Sequence, residues 1–108
     1  MNNKQVAKVF QDIADLLELK GENQFKIRAY QKVVRSIEQL PVEVEQLVAE
    51  DRLKEVPGVG EAITKKINEL VTTGHLDYYE WLKDNLKSFF NHGNPDWDWV
   101  RNRIKTNE

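Results

Sequence analysis

The residues best placed to do chemistry lie in one short segment. Pro57-Gly58-Val59-Gly60 is a turn containing two glycines, and Lys65 and Lys66 follow it on a stretch of helical periodicity. Glycine lets the backbone turn sharply and come close to a ligand. The amides of such a turn, with the free N–H groups that open the next helix, suit a phosphate oxygen. The helix dipole adds to the attraction. A contact of this kind reads phosphate and carries no base sequence. Gly-x-Gly alone is a weak signal, and an ordinary connection between helices is the alternative. Apolar residues at matching spacing on both sides, Leu53 and Val56 before and Ile63 and Ile67 after, make the segment more informative.

Other chemistries find less support. The chain has no cysteine, which removes disulfides, thiolate nucleophiles and cysteine-ligated zinc together. Two histidines, His75 and His92, are too few for a histidine metal site. Asp96 and Asp98 stand two apart, like paired metal-binding aspartates. They follow Pro95 at a helix start, where capping and dipole complementarity account for them. Trp97 and Trp99 cannot share one narrow helical stripe. Trp97 aligns with Val100 and Ile104, which leaves Trp99 beside Arg103. That pair either packs between helices or forms an exposed anchor for a protein partner.

The elements that position these residues are helical. Apolar residues recur at spacings of three and four along almost the whole chain. Asn2 or Asn3 caps a first helix carrying Val6, Phe10, Ile13 and Leu17, and Gly21 ends it. A second helix turns Phe25, Ile27, Tyr30, Val33, Val34 and Ile37 inward and stops at Leu40-Pro41. A short third helix holds Val44, Leu47 and Val48, and a brief turn holds Leu53 and Val56. The fourth helix runs from about Glu61 to Thr73, with Gly74 as its C-terminal cap. A fifth, from Asp77 to about Asn91, points Tyr78, Trp81, Leu82, Leu86 and Phe89 or Phe90 inward. Asn94-Pro95 opens a last helix with Trp97, Val100 and Ile104. Strand-like alternation is absent. The expected fold is all-α, a compact bundle of about six short helices.

Composition bounds the rest. The 108 residues, 40% of them hydrophobic, suit one domain that buries roughly two-thirds of its unfolded surface. Such a length leaves no room for a polymerase or kinase of ordinary size. No apolar run reaches the roughly 20 residues of a membrane span, and the first residues lead into an amphipathic stretch and not a signal core. A cytoplasmic protein is expected, nucleoid-associated if it binds DNA, and a monomer. The formal charge of −2 argues against a dedicated nucleic-acid binder. Its distribution argues the other way. Between Lys20 and Arg35, five cations face the single acid Glu22, whereas from Glu38 to Glu61 seven acids face Arg52 and Lys54. If the basic second helix lies beside the glycine turn, the two form one phosphate-binding face.

Leu53 to Ile67 resembles a helix-hairpin-helix motif, extending over about 53–73. Four stretches widen the likeness: Ile13 to Asn23, Phe25-Lys26-Ile27-Arg28-Ala29-Tyr30, Val56 to Gly60, and Thr73-Gly74-His75-Leu76. Through them residues 1–86 resemble the N-terminal, roughly 8-kDa domain of the family X DNA polymerases, the family of DNA polymerase beta. Residues 87–108 fall outside the resemblance and are expected to form a helical extension packed on the same domain. The resemblance implies binding at the 5′-phosphate side of gapped DNA and, in some members, removal of 5′-deoxyribose phosphate through a lysine Schiff base. It assigns that lysine to Lys66, the nearby tyrosine to Tyr30 and a phosphate-binding cation to Lys26. The family's other basic positions fall on Phe25, Ala62 and Tyr78, a departure that lowers the positive charge of the pocket. The carbonyls of Lys54, Val56 and Val59 match a monovalent-cation site, so Na⁺ or K⁺ at the hairpin is implied and no other cofactor.

The leading expectation is therefore a module that binds DNA phosphates without sequence preference, favouring gapped or 5′-phosphorylated ends. Lys26, Arg28, Lys32, Lys65 and Lys66 would supply charge, the backbone of Gly58, Val59 and Gly60 would supply amides, and Tyr30 would stack on a base or sugar. One alternative is a lyase through Lys66. An amine attacks the sugar aldehyde only when neutral, so its pKa must fall well below about 10.4. Ala62, Ile63 and Leu70 would desolvate Lys66, while Glu69 would favour its charged form. Phosphate contact and plain solvation are the other readings of Lys66. The second alternative is a protein-interaction module, natural or engineered, built on Trp97, Trp99 and Arg103.

Overall fold

The computed structural model describes residues 1–90, with side chains to Leu86. Five α-helices and one 3₁₀ turn account for most of them, and the fold is an all-helical bundle. The expected last helix, with Asp96, Trp97, Asp98, Trp99 and Arg103, lies outside the described residues, as do the side chains of Phe89 and Phe90.

Helix α1 (Asn3–Lys20) begins at Asn2, whose side chain accepts the Gln5 N–H while the Gln5 side chain accepts the Asn2 N–H. This reciprocal box satisfies two of the donors that a helix start leaves open. Asn3 does a different job. Its amide donates to the Val42 carbonyl and accepts from the Val44 N–H, which fixes the entry to α3 (Val44–Ala49) against α1. Gly21 stops α1 with φ of +78°, a left-handed cap open to glycine without strain.

Helix α2 (Gln24–Glu38) returns along α1, and this pair forms the centre of the core. Val6, Phe10, Ile13 and Leu17 of α1 are buried with Ile27, Val33 and Ile37 of α2. Glycine returns at the end of α4 (Glu61–Thr73), where Gly74 also adopts a left-handed cap. Helix α5 (Asp77–Phe90) packs back on α1 through Leu82 and Leu86. A polar contact crosses the same interface. The Tyr79 hydroxyl donates to buried Asp12 at 2.7 Å, and Lys83 Nζ stands 4.3 Å from the Tyr79 ring.

Two inward assignments are corrected. Phe25 is 79% exposed and Trp81 is 50% exposed. Phe25 stands two residues before Ile27, a spacing that turns it away from the buried stripe. Trp81 shares the stripe's edge with Tyr78, while Leu82 and Leu86 take the covered centre. Val48 is only partly buried.

Candidate functional site

The hairpin hangs between a 3₁₀ turn (Leu53–Glu55) and α4. Leu53, Val56 and Val59 anchor it in the core, while Pro57, Gly58 and Gly60 face outward. Its glycines have different duties. Gly58 adopts φ of +85°, and a Cβ there would lie 3.1 Å from two carbons of the Lys32 side chain. Gly60 is extended, with open space around it, and caps α4 without any side-chain acceptor. The first amides of α4 therefore meet no capping side chain from that residue, the condition under which a helix start takes an anion.

Helix α2 does lie beside the hairpin. The Ser36 hydroxyl donates to the Pro57 carbonyl at 2.7 Å, and the Lys32 stem covers Gly58. Lys32 and Ser36 are one helical turn apart, so a single stripe of α2 supports the turn. Arg28 is exposed one turn before Lys32 on that helix.

The second part of the site is a file of aromatic rings. Phe10, Tyr30, Tyr78 and Trp81 stack in succession, with centroid separations of 6.1, 6.3 and 6.3 Å and interplanar angles of 22°, 15° and 15°. The file begins in the core and ends at half-exposed Trp81. Separations near the long end of the usual range, roughly 4.5–7 Å, mean offset rings that leave part of each face open. Cations occupy those faces. Lys66 Nζ is 4.9 Å and Lys26 Nζ 5.8 Å from the Tyr78 ring, and Lys20 Nζ is 4.9 Å from the Trp81 ring. An open cleft of about 610 Å³ adjoins this point, lined by Ala62, Lys65, Lys66, Leu76 and Tyr78, with Glu61 and Glu69 at its acidic side.

Lys66 is partly buried, and its ammonium is held below the ordinary lysine range. Burial is the larger cause, Lys26 adds repulsion, and Glu69 opposes both. Glu69 is also engaged elsewhere, since its Oε2 accepts the Asp77 N–H at 2.7 Å and caps α5. Weak i,i+4 pairs join Lys26 to Glu22 and Lys65 to Glu61, each at 4.0 Å.

The structure thus brings Lys26, Lys66 and the hairpin with Lys32 onto the α2–α4 side of the bundle. Two expected contributors differ. Tyr30 is only 4% exposed, and burial, helped by the Tyr78 hydroxyl, pushes its phenol above the ordinary tyrosine range. It is a core residue, not a surface for a base. The Val59 amide donates to the Val56 carbonyl at 3.1 Å and is not a free donor. The Val56 carbonyl keeps a second lone pair beyond that bond. Sequence reasoning undervalued Tyr78. A non-basic residue there removes a charge, yet its ring is where Lys26 and Lys66 meet. Trp81, three residues later, was the available signal for an aromatic file on that edge.

Comparison with known proteins bears on the fold and its hairpin. Residues 1–76 match the model of the helix-hairpin-helix domain family. The chain belongs to that family. It is 31% identical over 85 residues to DNA polymerase lambda of Arabidopsis thaliana, covering 79% of this chain. To the DNA polymerase/3′-5′ exonuclease PolX of Bacillus subtilis (strain 168) it is 29% identical over 86 residues, covering 80%. Residues 1–86 are homologous to the N-terminal domain of the family X polymerases. The chain spans 15% of the length of each of these relatives. Among the described residues no helix is long and apolar enough to cross a membrane.

Proposed function

We propose that this helix-hairpin-helix domain binds DNA through its phosphates, without sequence preference, and favours gapped or 5′-phosphorylated ends. The observation that carries the reading is the convergence of α2 and α4. Lys32 lies on Gly58, and Lys26 meets Lys66 on Tyr78, beside a cleft open to solvent. Like charges held together on a ring gain from an anion between them. The uncapped start of α4 offers amides to the adjoining phosphate. An alkali cation on the carbonyls of Lys54, Val56 and Val59 would add a positive charge at the hairpin. Gapped, 5′-phosphorylated DNA should bind with an affinity that falls as salt rises, and Lys26→Ala should weaken it. Loss of all binding at low salt would refute the reading.

A second reading has its own support. Lys66 is a partly buried amine with depressed basicity at the edge of the cleft. Its neutral form would add to the C1′ aldehyde of an opened deoxyribose and lose water, giving a Schiff base; loss of a C2′ proton would then expel the 3′-phosphate. Borohydride should trap a covalent complex with an abasic 5′-phosphate substrate. Lys66→Ala should abolish the crosslink, and an unchanged crosslink would remove Lys66 as the nucleophile.

A further inference from the structure

We propose that Trp81 and Lys20 form a stacking subsite for one unpaired nucleotide, placed one ring beyond the Lys26–Lys66 cluster. The proposal rests on the DNA-binding reading above and names a ligand feature that it does not contain: a displaced 5′ nucleotide with its base intact. Among the described residues only Phe25 and Trp81 are large apolar side chains left substantially exposed. Among the described residues no aromatic ring stacks on Phe25. Trp81 has such a partner, because Tyr78 lies parallel to it within 15° at 6.3 Å, and the pair is set by adjacent turns of α5. The indole is therefore held ready before any ligand arrives, which reduces the ordering cost of stacking.

Lys20 Nζ stands 4.9 Å from that indole. The ammonium lies over the ring, so an incoming base would take its place on the indole while the flexible Lys20 stem swings the charge to that nucleotide's phosphate, the two contacts one nucleotide needs. Continuity with the main site follows from the ring file. A strand whose phosphate sits at Lys66 on Tyr78 has only the 6.3 Å step between rings to cover before reaching Trp81. Asp77, Glu80 and Asp84 share α5 with Trp81. Their charge limits the subsite to a single nucleotide and does not favour an extended track.

The test compares three gapped duplexes by fluorescence anisotropy: one with a flush 5′-phosphate, one with a one-nucleotide 5′ flap, and one whose flap nucleotide is a tetrahydrofuran abasic analogue. The flap with a base should bind tighter than the abasic flap by about five- to a hundredfold, the range for one stacked base. Trp81→Ala should erase that ratio, bringing the two flaps to equal affinity whatever its effect on the flush duplex. Trp81→Phe should keep part of it, and Lys20→Ala should weaken both flaps alike. Equal affinity of wild type for the two flaps, or a ratio unaffected by Trp81→Ala, would overturn the proposal. Failure of the flush duplex to bind would instead overturn the DNA-binding reading itself.

Discussion

Arg52 and Lys66 carry the same formal charge in opposite settings. Arg52, between α3 and the hairpin, is held by Glu50 at 2.9 Å and Glu55 at 3.0 Å, both from its own segment. Those hydrogen bonds stabilise its charged form and lower both carboxylates below the usual range. Lys66 meets a tyrosine ring, partial burial and a second lysine, and its charged form is disfavoured. A cation already matched by two carboxylates gains little from an incoming phosphate. A cation held against another cation gains a partner and loses a repulsion. The near-neutral total charge is thus a sum over unlike regions, an acidic one in which Arg52 is already matched and a basic one whose cations lie close together.

The contrast breaks most completely by charge reversal. Lys26→Glu with Lys66→Glu should cost gapped-DNA affinity on the order of a hundredfold or more. Arg52→Ala should change it less than twofold in the same assay. Next in size is the hairpin. Gly58→Ala forces a left-handed alanine towards Lys32 and should destabilise the fold by about 1–2 kcal/mol, seen as a lower Tm. Gly60→Ala, extended and unobstructed, should stay within about 0.5 kcal/mol. Equal losses at both glycines would contradict the geometry.

A smaller effect comes from proton linkage. The Lys66 pKa is lowered, so its charge is present at low pH and lost as pH rises through that lowered value. DNA affinity should fall over the same interval, earlier than ordinary lysines deprotonate, and Lys66→Met should remove this limb of the profile. The smallest effect lies on the acidic side. Glu50 and Glu55 have lowered pKa values, so their contribution is present above the usual carboxylate range and fades as pH falls through the lowered values. Both are exposed, and the contribution is slight. NMR titration should show both values return to the usual range in Arg52→Ala.

Much of this fold was legible in the sequence because its signals are local. Glu61–Thr73 was readable from its apolar period and Gly74, and Asn2, Gly21 and Pro41 marked other boundaries through capping and backbone restriction. Phe25 and Trp81 were misread because periodicity gives the direction of a stripe and not what covers its edge. The hairpin was legible as a motif. The meeting of Lys26 with Lys66 on Tyr78 was not, since it joins residues from α2, α4 and α5 whose proximity no local rule sets.

The most direct test of the central claim is the salt dependence of binding to a gapped, 5′-phosphorylated duplex, in wild type and in Lys26→Ala. A log–log plot of affinity against salt should fall linearly, by about 0.9 for each phosphate neutralised. Lys26→Ala should reduce that slope by about one. A flat plot, or a slope unchanged by Lys26→Ala, would contradict the assignment of the α2–α4 face as the phosphate-binding surface.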